Sequence, residues 1–292
     1  MKNFGLAIGA FTLVAAAGIA QGQETAYGFN ARGDLVSFST ATPGSVSTIG
    51  AITGLTAGQT LRSVDFRPNG NGLYGFSADA AGNSQIYTIS LTTGAATAVG
   101  AGFSLPNFGV GDRISIDFNP AVDRLRIVTL GGRSYRANPI TGAFVAQDTN
   151  LAFASGTGAS ISGIAYSNNI PGAPGGTTLF AYDYAGDNLA TIGGPNGVPS
   201  PNLGQVNVIG STGLFALGLD TSFDISGATG AAFAGVNDFG GPAELFSVNL
   251  GTGAHTLVGA FGTDLVDFSI LPAPSSLALL GLGGLVVGRR RR

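Results

Sequence analysis

The sequence predicts an all-β protein, a five-bladed β-propeller of four-stranded blades. A unit of four short strands recurs along the chain about every 50 residues, a spacing typical of propeller blades. Nearly identical hairpin signatures recur at Thr93-Gly94-Ala95, Thr141-Gly142-Ala143 and Thr252-Gly253-Ala254. The strand pattern also begins one strand late and ends on a strand without a partner. Together these observations predict a ring of blades that is closed by its two ends.

The hairpin signatures define the two outer strands of each unit, which we name c and d. QIYTISL (85–91) precedes the first signature and TAVGA (97–101) follows it, while ELFSVNL (244–250) and TLVGA (256–260) flank the third. β-branched and aromatic residues favour strands. The central glycine supplies the positive φ that a tight hairpin needs. Each signature therefore predicts a c–d hairpin.

A second pair of strands, a and b, precedes each hairpin. RSVDF (62–66) leads through a glycine- and asparagine-rich turn into LYGFS (73–77), and ISIDF (114–118) leads into LRIVT (125–129). The same pattern predicts the remaining strands. The a-strands are expected near 62–66, 114–118, 162–166, 215–220 and 265–270; the b-strands near 26–30, 73–77, 125–129, 178–183 and 231–236; the c-strands near 34–39, 85–91, 133–137, 187–192 and 244–250; and the d-strands near 46–50, 97–101, 143–147, 205–210 and 256–260.

The order of the terminal strands predicts ring closure. The pattern opens on a b-strand, AYGFN (26–30), and ends on an a-strand, LVDFSI (265–270). An open array would leave both as unpaired sheet edges, whereas pairing of the two completes a first blade. Five strands of each kind then make five blades. Six or more blades would be the alternative if the long stretch 167–213 held additional strands.

The inner strand pairs resemble a known domain family. Tryptophan is absent, and no glycine doublet recurs at a fixed blade position, so WD40 and kelch repeats do not fit. The segments VDFRP…LYGF and IDFNPAVDRLRIV…YRANPITG resemble a bacterial domain of unknown function, family 4394, over most of 26–270. The resemblance implies no activity.

The N-terminal residues 1–23 have the layout of a secretory signal peptide. Lys2 is followed by an apolar run from Phe4 to Ala20 and then by small residues. This order of basic, apolar and small-residue zones is typical of an export signal. The mature domain is therefore expected to cover 24–271.

The C-terminal residues 272–292 indicate sorting to the cell surface. An uncharged run, 275–288, is shorter than the roughly 20 residues of a spanning helix, and the arginines after it favour the cytoplasmic side. A plain C-terminal anchor is one interpretation. The segment also resembles the PEP-CTERM signal, although Ala273 stands where that family usually has glutamate. The resemblance implies processing by an exosortase-type enzyme after a transient membrane stage, with these residues recognised: Pro272, Pro274, Arg289, Arg290, Arg291 and Arg292.

The charge of the mature domain excludes some partners. Between 24 and 271, eight arginines and no lysine stand against sixteen carboxylates, which gives a net charge of −8. Nucleic acids and anionic lipids require a basic surface, so neither is an expected partner. A cation or a neutral polymer, such as an extracellular polysaccharide, suits this charge better. Cysteine is absent, so packing and hydrogen bonds must stabilise what we expect to be a monomer.

Several catalytic mechanisms are excluded by composition. His255 is the sole histidine, and it occupies a hairpin position where other repeats carry Ala96 and Phe144. We therefore expect it at an ordinary surface strand position rather than in a catalytic triad. Without cysteine, and without lysine in the domain, thiol chemistry and a Walker A loop are also excluded.

Aspartates on the inner strands form the first candidate site. One repeat position is predicted to hold Asp65, Asp117, Asp220 and Asp267, with Ala165 in the remaining blade. These carboxylates could accept N–H bonds from the following a–b turn. They could instead form an acidic ring that holds Ca²⁺ at a channel mouth. A third interpretation is a polysaccharide hydrolase or lyase, which needs two carboxyl groups flanking the bond.

Arginines concentrated in 112–136 form the second candidate. Guanidinium groups bind carboxylates in a bidentate manner, so this segment indicates a site for an anionic sugar or another carboxylate. Ion pairs with Asp112, Asp117 and Asp123 are the structural alternative. The predicted polar patch contains Arg113, Asp117, Arg124, Arg126 and Arg136, completed across the axis by Asp65, Asp220 and Asp267. The sequence thus favours an exported, non-enzymatic binding or matrix module without a required cofactor, and a polysaccharide-active enzyme is the alternative.

Overall fold

The computed structural model describes residues 23–70, 72–109, 112–214, 221–236 and 243–272. In chain order its strands are β1 (Thr25–Asn30), β2 (Asp34–Ser39), β3 (Thr42–Ala51), β4 (Thr60–Arg67), β5 (Gly72–Ala78), β6 (Asn83–Ile89), β7 (Ala96–Ser104), β8 (Ile114–Asn119), β9 (Arg124–Thr129), β10 (Ser134–Ala137), β11 (Phe144–Gln147), β12 (Ala152–Phe153), β13 (Ile161–Tyr166), β14 (Leu179–Asp183), β15 (Asn188–Ile192), β16 (Gln205–Ser211), β17 (Thr221–Ile225), β18 (Ala232–Val236), β19 (Glu244–Val248), β20 (His255–Ala260) and β21 (Leu265–Ile270).

These strands form the five-bladed β-propeller that the sequence predicts. From the inside outwards, the blades are β21-β1-β2-β3, β4-β5-β6-β7, β8-β9-β10-β11, β13-β14-β15-β16 and β17-β18-β19-β20, which we number one to five. Within each blade, neighbouring strands are antiparallel. The inner strands contact one another in sequence, and β21 contacts both β17 and β4. The ring is therefore closed through the C-terminal strand.

The hydrophobic core lies between the blades, in one cluster for each pair of neighbours. Between blades two and three, for example, Phe76 and Ile86 pack with Phe118 and Leu125. Because each blade is covered on both faces, its inner strands are buried along nearly their whole length, as β13 is at every position. Polar side chains on the inner strands are therefore shielded from water. The hydrogen-bond partners that they have within the protein then indicate the role of each side chain.

Closure depends on a close approach between β1 and β21. Their pairing runs from Ala26 opposite Ile270 to Asn30 opposite Leu265. Gly28 faces Phe268, and a Cβ atom at Gly28 would overlap the Asp267 carbonyl oxygen. The glycine is required here because the last strand lies directly against its backbone.

One prediction about the strands needs correction, and the alternative of six or more blades is not observed in the described residues. The a-strand of blade five is Thr221–Ile225, whereas the predicted range 215–220 lies outside the described residues. The stretch 167–213 holds β14, β15, β16 and two 3-10 turns, at Pro195–Gly197 and Pro201–Leu203, so it adds no sixth blade. One strand was not predicted: β12 pairs in parallel with β16 at the outer edge of blade four.

The export and sorting signals fall on parts of the chain that are not described. Of the predicted signal peptide (1–23), only residue 23 is among the described residues. Of the predicted sorting segment (272–292), only Pro272 is. Among the residues that the structure describes, no helix is long and apolar enough to cross a membrane.

Candidate functional site

Two adjacent layers of polar side chains line the inside of the ring. The pairing register between the a- and b-strands defines these layers. The upper layer consists of the five a-strand residues that lie opposite the b-strand residues Tyr27, Tyr74, Arg126, Phe180 and Phe233. The upper layer contains Ser269, Asp65, Asp117, Ala165 and Asp224, in blade order. Two residues earlier on the same strands lies the lower layer, which contains Asp267, Ser63, Ser115, Gly163 and Ser222. Residues two apart on a strand share a face, so both layers face the neighbouring inner strands.

The predicted aspartate ring was partly wrong in its membership. Asp267 belongs to the lower layer, because the order of serine and aspartate in blade one is the reverse of that in Ser63-Val64-Asp65. Asp220 lies outside the described residues, and the carboxylate of blade five is Asp224. The repeated serine two residues before the aspartate, present as Ser222, is the sequence signal that identifies Asp224.

These side chains bond four of the five inner strands to the next one; blade four carries Ala165 and Gly163 in the two layers and has no polar side chain there. The N–H of Phe118 donates to Asp65 Oδ2 (2.9 Å), and the N–H of Ile270 donates to Asp224 Oδ2 (2.5 Å). In the lower layer, the N–H of Val64 donates to Asp267 Oδ2 (2.9 Å). The donors lie in the neighbouring blade, so the expectation that the aspartates bond to their own a–b turns was wrong. The physical reason is that an innermost strand has one edge without a ladder partner, and its N–H groups need acceptors.

Three upper-layer carboxylates, Asp65, Asp117 and Asp224, form a buried cluster that we call the carboxylate triad. Each residue is at most 2% exposed, and one oxygen from each lies within 4.8 Å of the others. Burial raises the pKa of all three carboxyls, and neighbouring negative charge raises them further; the pKa of Asp224 rises to about 6. Carboxylates at this spacing can share protons or hold a cation.

An axial cavity of about 100 Å³ opens beside the lower layer. Its lining comes from the first residues of all five inner strands or from residues next to them, and it includes Ser63, Ser115 and Asp267. Arg62 and Arg113 also line it. Burial lowers the pKa of Arg113, and the charge of Arg62 lowers it further. Arg113 thus lies at a channel mouth, as the sequence predicts for one face of that strand.

A larger cavity, of about 440 Å³, lies between blades three and four. We call it the arginine cavity; its polar lining includes Arg124, Arg126, Arg136, Asn119, Asn196 and Asn202. Arginines at 124, 126 and 136 are therefore brought together as predicted. The candidate residues Arg113 and Asp117 lie elsewhere, at the axial cavity and in the carboxylate triad.

Arg126 is the buried centre of the arginine cavity. Its side chain is 2% exposed, and its Nη1 donates to Asp148 Oδ2 (2.6 Å) and to the Ser134 hydroxyl (2.8 Å). Nη2 donates to Asn202 Oδ1 (2.6 Å), and Nε lies 3.3 Å from the Tyr166 hydroxyl oxygen. This guanidinium is held in place from both blades.

The other two arginines differ in how their charge is compensated. Arg136 donates from Nε and Nη2 to the same Asp148 carboxylate, at 2.7–3.0 Å. Nη1 of Arg124 donates to the backbone carbonyls of Val122 and Asp123, and within the described residues its guanidinium has no carboxylate hydrogen-bond partner. Three arginines therefore line the cavity: Arg126 and Arg136 share the Asp148 carboxylate, and Arg124 interacts with the charge of Asp123, which is itself paired with Arg67.

The expected ion pairs with Asp112, Asp117 and Asp123 differ from those observed. Asp148 follows strand β11, outside the segment 112–136, and it reaches the cavity because β10 and β11 are paired. The Asp123 carboxylate instead pairs with Arg67 of blade two. Closeness in the sequence did not identify the ion-pair partners of these arginines, because in a propeller such partners come from adjacent strands and blades.

His255 is less exposed than a surface strand position implies. Its Nε2 lies 2.6 Å from the Tyr182 hydroxyl, and burial lowers the pKa of the imidazole. Its Nδ1 lies 2.9 Å from the Gly253 carbonyl oxygen, so the two ring nitrogens contact a tyrosine hydroxyl and a backbone carbonyl rather than a carboxylate.

Comparison with known proteins identifies a family and similar folds. The family described as Domain of unknown function (DUF4394) matches residues 34–269. No curated protein matches the sequence. Among solved structures, TolB from Acinetobacter baumannii is 15% identical with a TM-score of 0.45, and the match covers 86% of this chain and 67% of that one.

Two further structures show a similar degree of likeness. A putative 6-phosphogluconolactonase from Bacteroides uniformis is 12% identical, with a TM-score of 0.43 and coverage of 83% of this chain and 84% of that one. The Myxococcus xanthus glutaminyl cyclase is 13% identical, with a TM-score of 0.44 and coverage of 84% and 98%. At this distance, none of them assigns an activity to the chain.

Proposed function

We propose that this chain, which belongs to the DUF4394 family, is an exported propeller that binds an acidic polysaccharide in the arginine cavity without cleaving it. The observation that carries the proposal is the excess of guanidinium over carboxylate groups in that cavity. Elsewhere the domain is acidic, so a cavity with local positive charge selects an anionic group at one place.

The chemistry of the lining supports a uronic-acid unit as the ligand. Arginine forks bind planar carboxylates in a bidentate manner, and Arg124 has no competing carboxylate hydrogen bond in the described chain. Asn119, Asn196 and Asn202 place amide groups around the same cavity, where they suit sugar hydroxyls. A volume of about 440 Å³ lies in the range of small-ligand pockets and accommodates one or two sugar rings.

Arg126 and Asp148 fix the geometry of this binding site from its buried side. Both are almost completely buried and bonded to each other, so their geometry is fixed before a ligand arrives. Arg136 is 27% exposed at its side chain and is oriented by the same carboxylate. A preorganised arginine loses less conformational entropy on binding than a free surface side chain does.

The alternative, a hydrolase or lyase that uses the inner-strand aspartates, is less well supported. A glycosidase needs two carboxyl groups on either side of an accessible glycosidic bond. The carboxylate triad is at most 2% exposed, and its oxygens bond to backbone amides of neighbouring blades. A polysaccharide has no route to these groups that would leave the ring intact.

Substitution of Arg124 tests the binding site. With polyuronate oligosaccharides and a chelator present, we expect Arg124→Ala to weaken binding by about 1.5–3 kcal/mol, roughly ten- to a hundred-fold in Kd, because a charge-assisted hydrogen bond is lost. Arg136→Gln should weaken binding similarly. Isothermal titration calorimetry measures both, and melting curves verify that the variants fold.

Arg32→Ala is the matched control, since Arg32 lines a separate groove between blades one and five. It removes the same charge from the domain and should leave the affinity unchanged. An equal loss of affinity in Arg32→Ala and Arg124→Ala would mean that net charge, rather than this cavity, attracts the polymer.

We further propose that the protein is exported through residues 1–23 and sorted through 272–292 by an exosortase-type enzyme. After a transient stage at the inner membrane, the monomeric domain would remain at the cell surface or in the extracellular matrix. The order of zones in both segments supports this location, and it suits a polysaccharide ligand.

Processing has a direct test. Protein extracted from the surface of its own host should lack Arg289–Arg292 and the apolar run before them. Intact-mass spectrometry of the extracted protein measures this. A full-length C-terminus on surface-extracted protein would contradict the sorting proposal and favour a plain anchor.

A further inference from the structure

We infer that the carboxylate triad, Asp65, Asp117 and Asp224, is a binding site for one hard divalent cation of the size of calcium. The three residues come from blades two, three and five, so their carboxylates meet at the centre of the ring. The site is separate from the arginine cavity, and the inference does not depend on the proposed function.

The spacing of the oxygen atoms fits a single ion. One carboxylate oxygen from each residue lies within 4.8 Å of the other two. Calcium binds oxygen ligands at about 2.3–2.6 Å, so two ligands on opposite sides are about 4.6–5.2 Å apart. Three oxygens no farther apart than this can therefore share one calcium ion with only small adjustments of their side chains.

One of these carboxylates has an oxygen that lacks a partner. Asp117 is 1% exposed, and its Oδ1 has no hydrogen-bond partner. Its other oxygen accepts the N–H of Tyr166, and the charges of Asp65 and Asp224 act directly on the group. A buried acceptor without a partner is unfavourable, and it is uncommon in folded proteins. A cation between the three residues would supply the missing partner.

The hydroxyl of Ser269 gives a second argument, because it contacts two carboxylates but has a single proton to donate. Its oxygen lies 2.8 Å from Asp65 Oδ1 and 2.8 Å from Asp224 Oδ2. A serine has one hydroxyl proton and can donate it to one of these carboxylates at a time. The second short oxygen–oxygen contact then needs either a proton on that carboxyl group or another positive centre nearby. An ion held by the triad provides that centre.

The charges and ligand types favour calcium over other metals. The hydrogen bonds to the triad come from backbone amides and from Ser269. Three buried negative charges are strongly unfavourable without positive compensation. An all-oxygen set without His or Cys selects hard cations rather than zinc or copper. Backbone and water oxygens can complete the six to eight ligands that calcium takes.

The axial cavity lies next to the site, one layer away along the inner strands. Ser63 and Ser115 line this cavity of about 100 Å³, and they precede Asp65 and Asp117 by two residues on the same strands. Asp267, which also lines this cavity, is an acidic residue like those of the triad. The mouth also contains Arg62 and Arg113, so the opening of the cavity is polar and of mixed charge.

Calcium binding to the full chain is the test. After removal of bound metal by a chelator, we expect calorimetry to find one Ca²⁺ per chain and millimolar Ca²⁺ to raise the melting temperature, because a ligand that binds the folded state stabilises it. Asp117→Asn keeps the shape of the side chain and removes its charge. It should weaken Ca²⁺ binding about tenfold or more, since even supporting residues of metal sites contribute 10- to 100-fold.

Asp267→Asn is the matched control, because it changes an inner-strand carboxylate outside the triad, and it should keep the Ca²⁺-dependent rise in melting temperature. If Asp117→Asn does not fold, Asp224→Asn replaces it. The inference is overturned if the unmodified chain binds no Ca²⁺ at millimolar concentration. It is equally overturned if both triad variants bind Ca²⁺ as tightly as the unmodified chain.

Discussion

A chain that ends at Gly262 is expected to lose its cooperative unfolding transition and to aggregate. This truncation removes β21, which pairs with β1 and contributes Leu265, Phe268 and Ile270 to the core. Burial of three such side chains contributes about 5–9 kcal/mol. That amount is comparable with the whole stability of a typical domain, about 5–15 kcal/mol.

The loss extends beyond hydrophobic burial. Ser269 accepts the N–H of Phe66 at 3.1 Å, and Asp267 accepts that of Val64 and the hydroxyl of Ser63. Without β21, the inner edges of both blade one and blade two would lie open to other chains. A chain that ends at Pro272 keeps all of these contacts and should melt like the full-length protein. Equal melting temperatures for the two truncated proteins would rule out closure through β21.

Asp148→Ala is expected to destabilise the fold by about 3–5 kcal/mol. The substitution leaves the Arg126 guanidinium buried without its charge partner, and breaking a buried pair from one side is costly. It also frees Arg136, which the same carboxylate orients. Chemical denaturation followed by tyrosine fluorescence or circular dichroism measures the change in the free energy of unfolding.

Asp123→Asn provides the comparison for that experiment. Asp123 also pairs with an arginine, Arg67, but the two side chains are 24% and 12% exposed, and asparagine tolerates the positive φ at this position. Because the pair is partly buried and bidentate, and asparagine keeps one acceptor oxygen, we expect a cost of about 1–2 kcal/mol. If Asp148→Ala cost no more than Asp123→Asn, Arg126 would have to be solvated, and the cavity would not be a preorganised site.

Most of the fold could be predicted from the sequence because each blade repeats its local signals. The Thr-Gly-Ala hairpins at 93–95, 141–143 and 252–254 lie where outer strands meet, and ring closure follows from the order of the first and last strands. The a-strand of blade five was misplaced because FALGLD (215–220) ends in an aspartate. The better match is TSFDI (221–225), in which the serine precedes the aspartate by two residues as it does in blades two and three.

The candidate site was less predictable because its partners are distant in the sequence. Val-Asp-Phe occurs at both 64–66 and 266–268, yet hydrogen bonds across the ring place Asp65 and Asp267 in different layers. Likewise, Asp148 reaches Arg126 and Arg136 only through strand pairing. A local pattern predicts which residues face inwards; the layer and the partner depend on how neighbouring blades are staggered.

A crystal structure of the domain with a uronic-acid trisaccharide tests the central proposal most directly. The proposal predicts an intact sugar in the arginine cavity, with one carboxylate within hydrogen-bond distance of Arg124 and Arg136 and its hydroxyls near Asn196 and Asn202. The carboxylate triad should remain covered by its blades. A cleaved sugar, or an intact one bound at the axial cavity, would contradict the proposal.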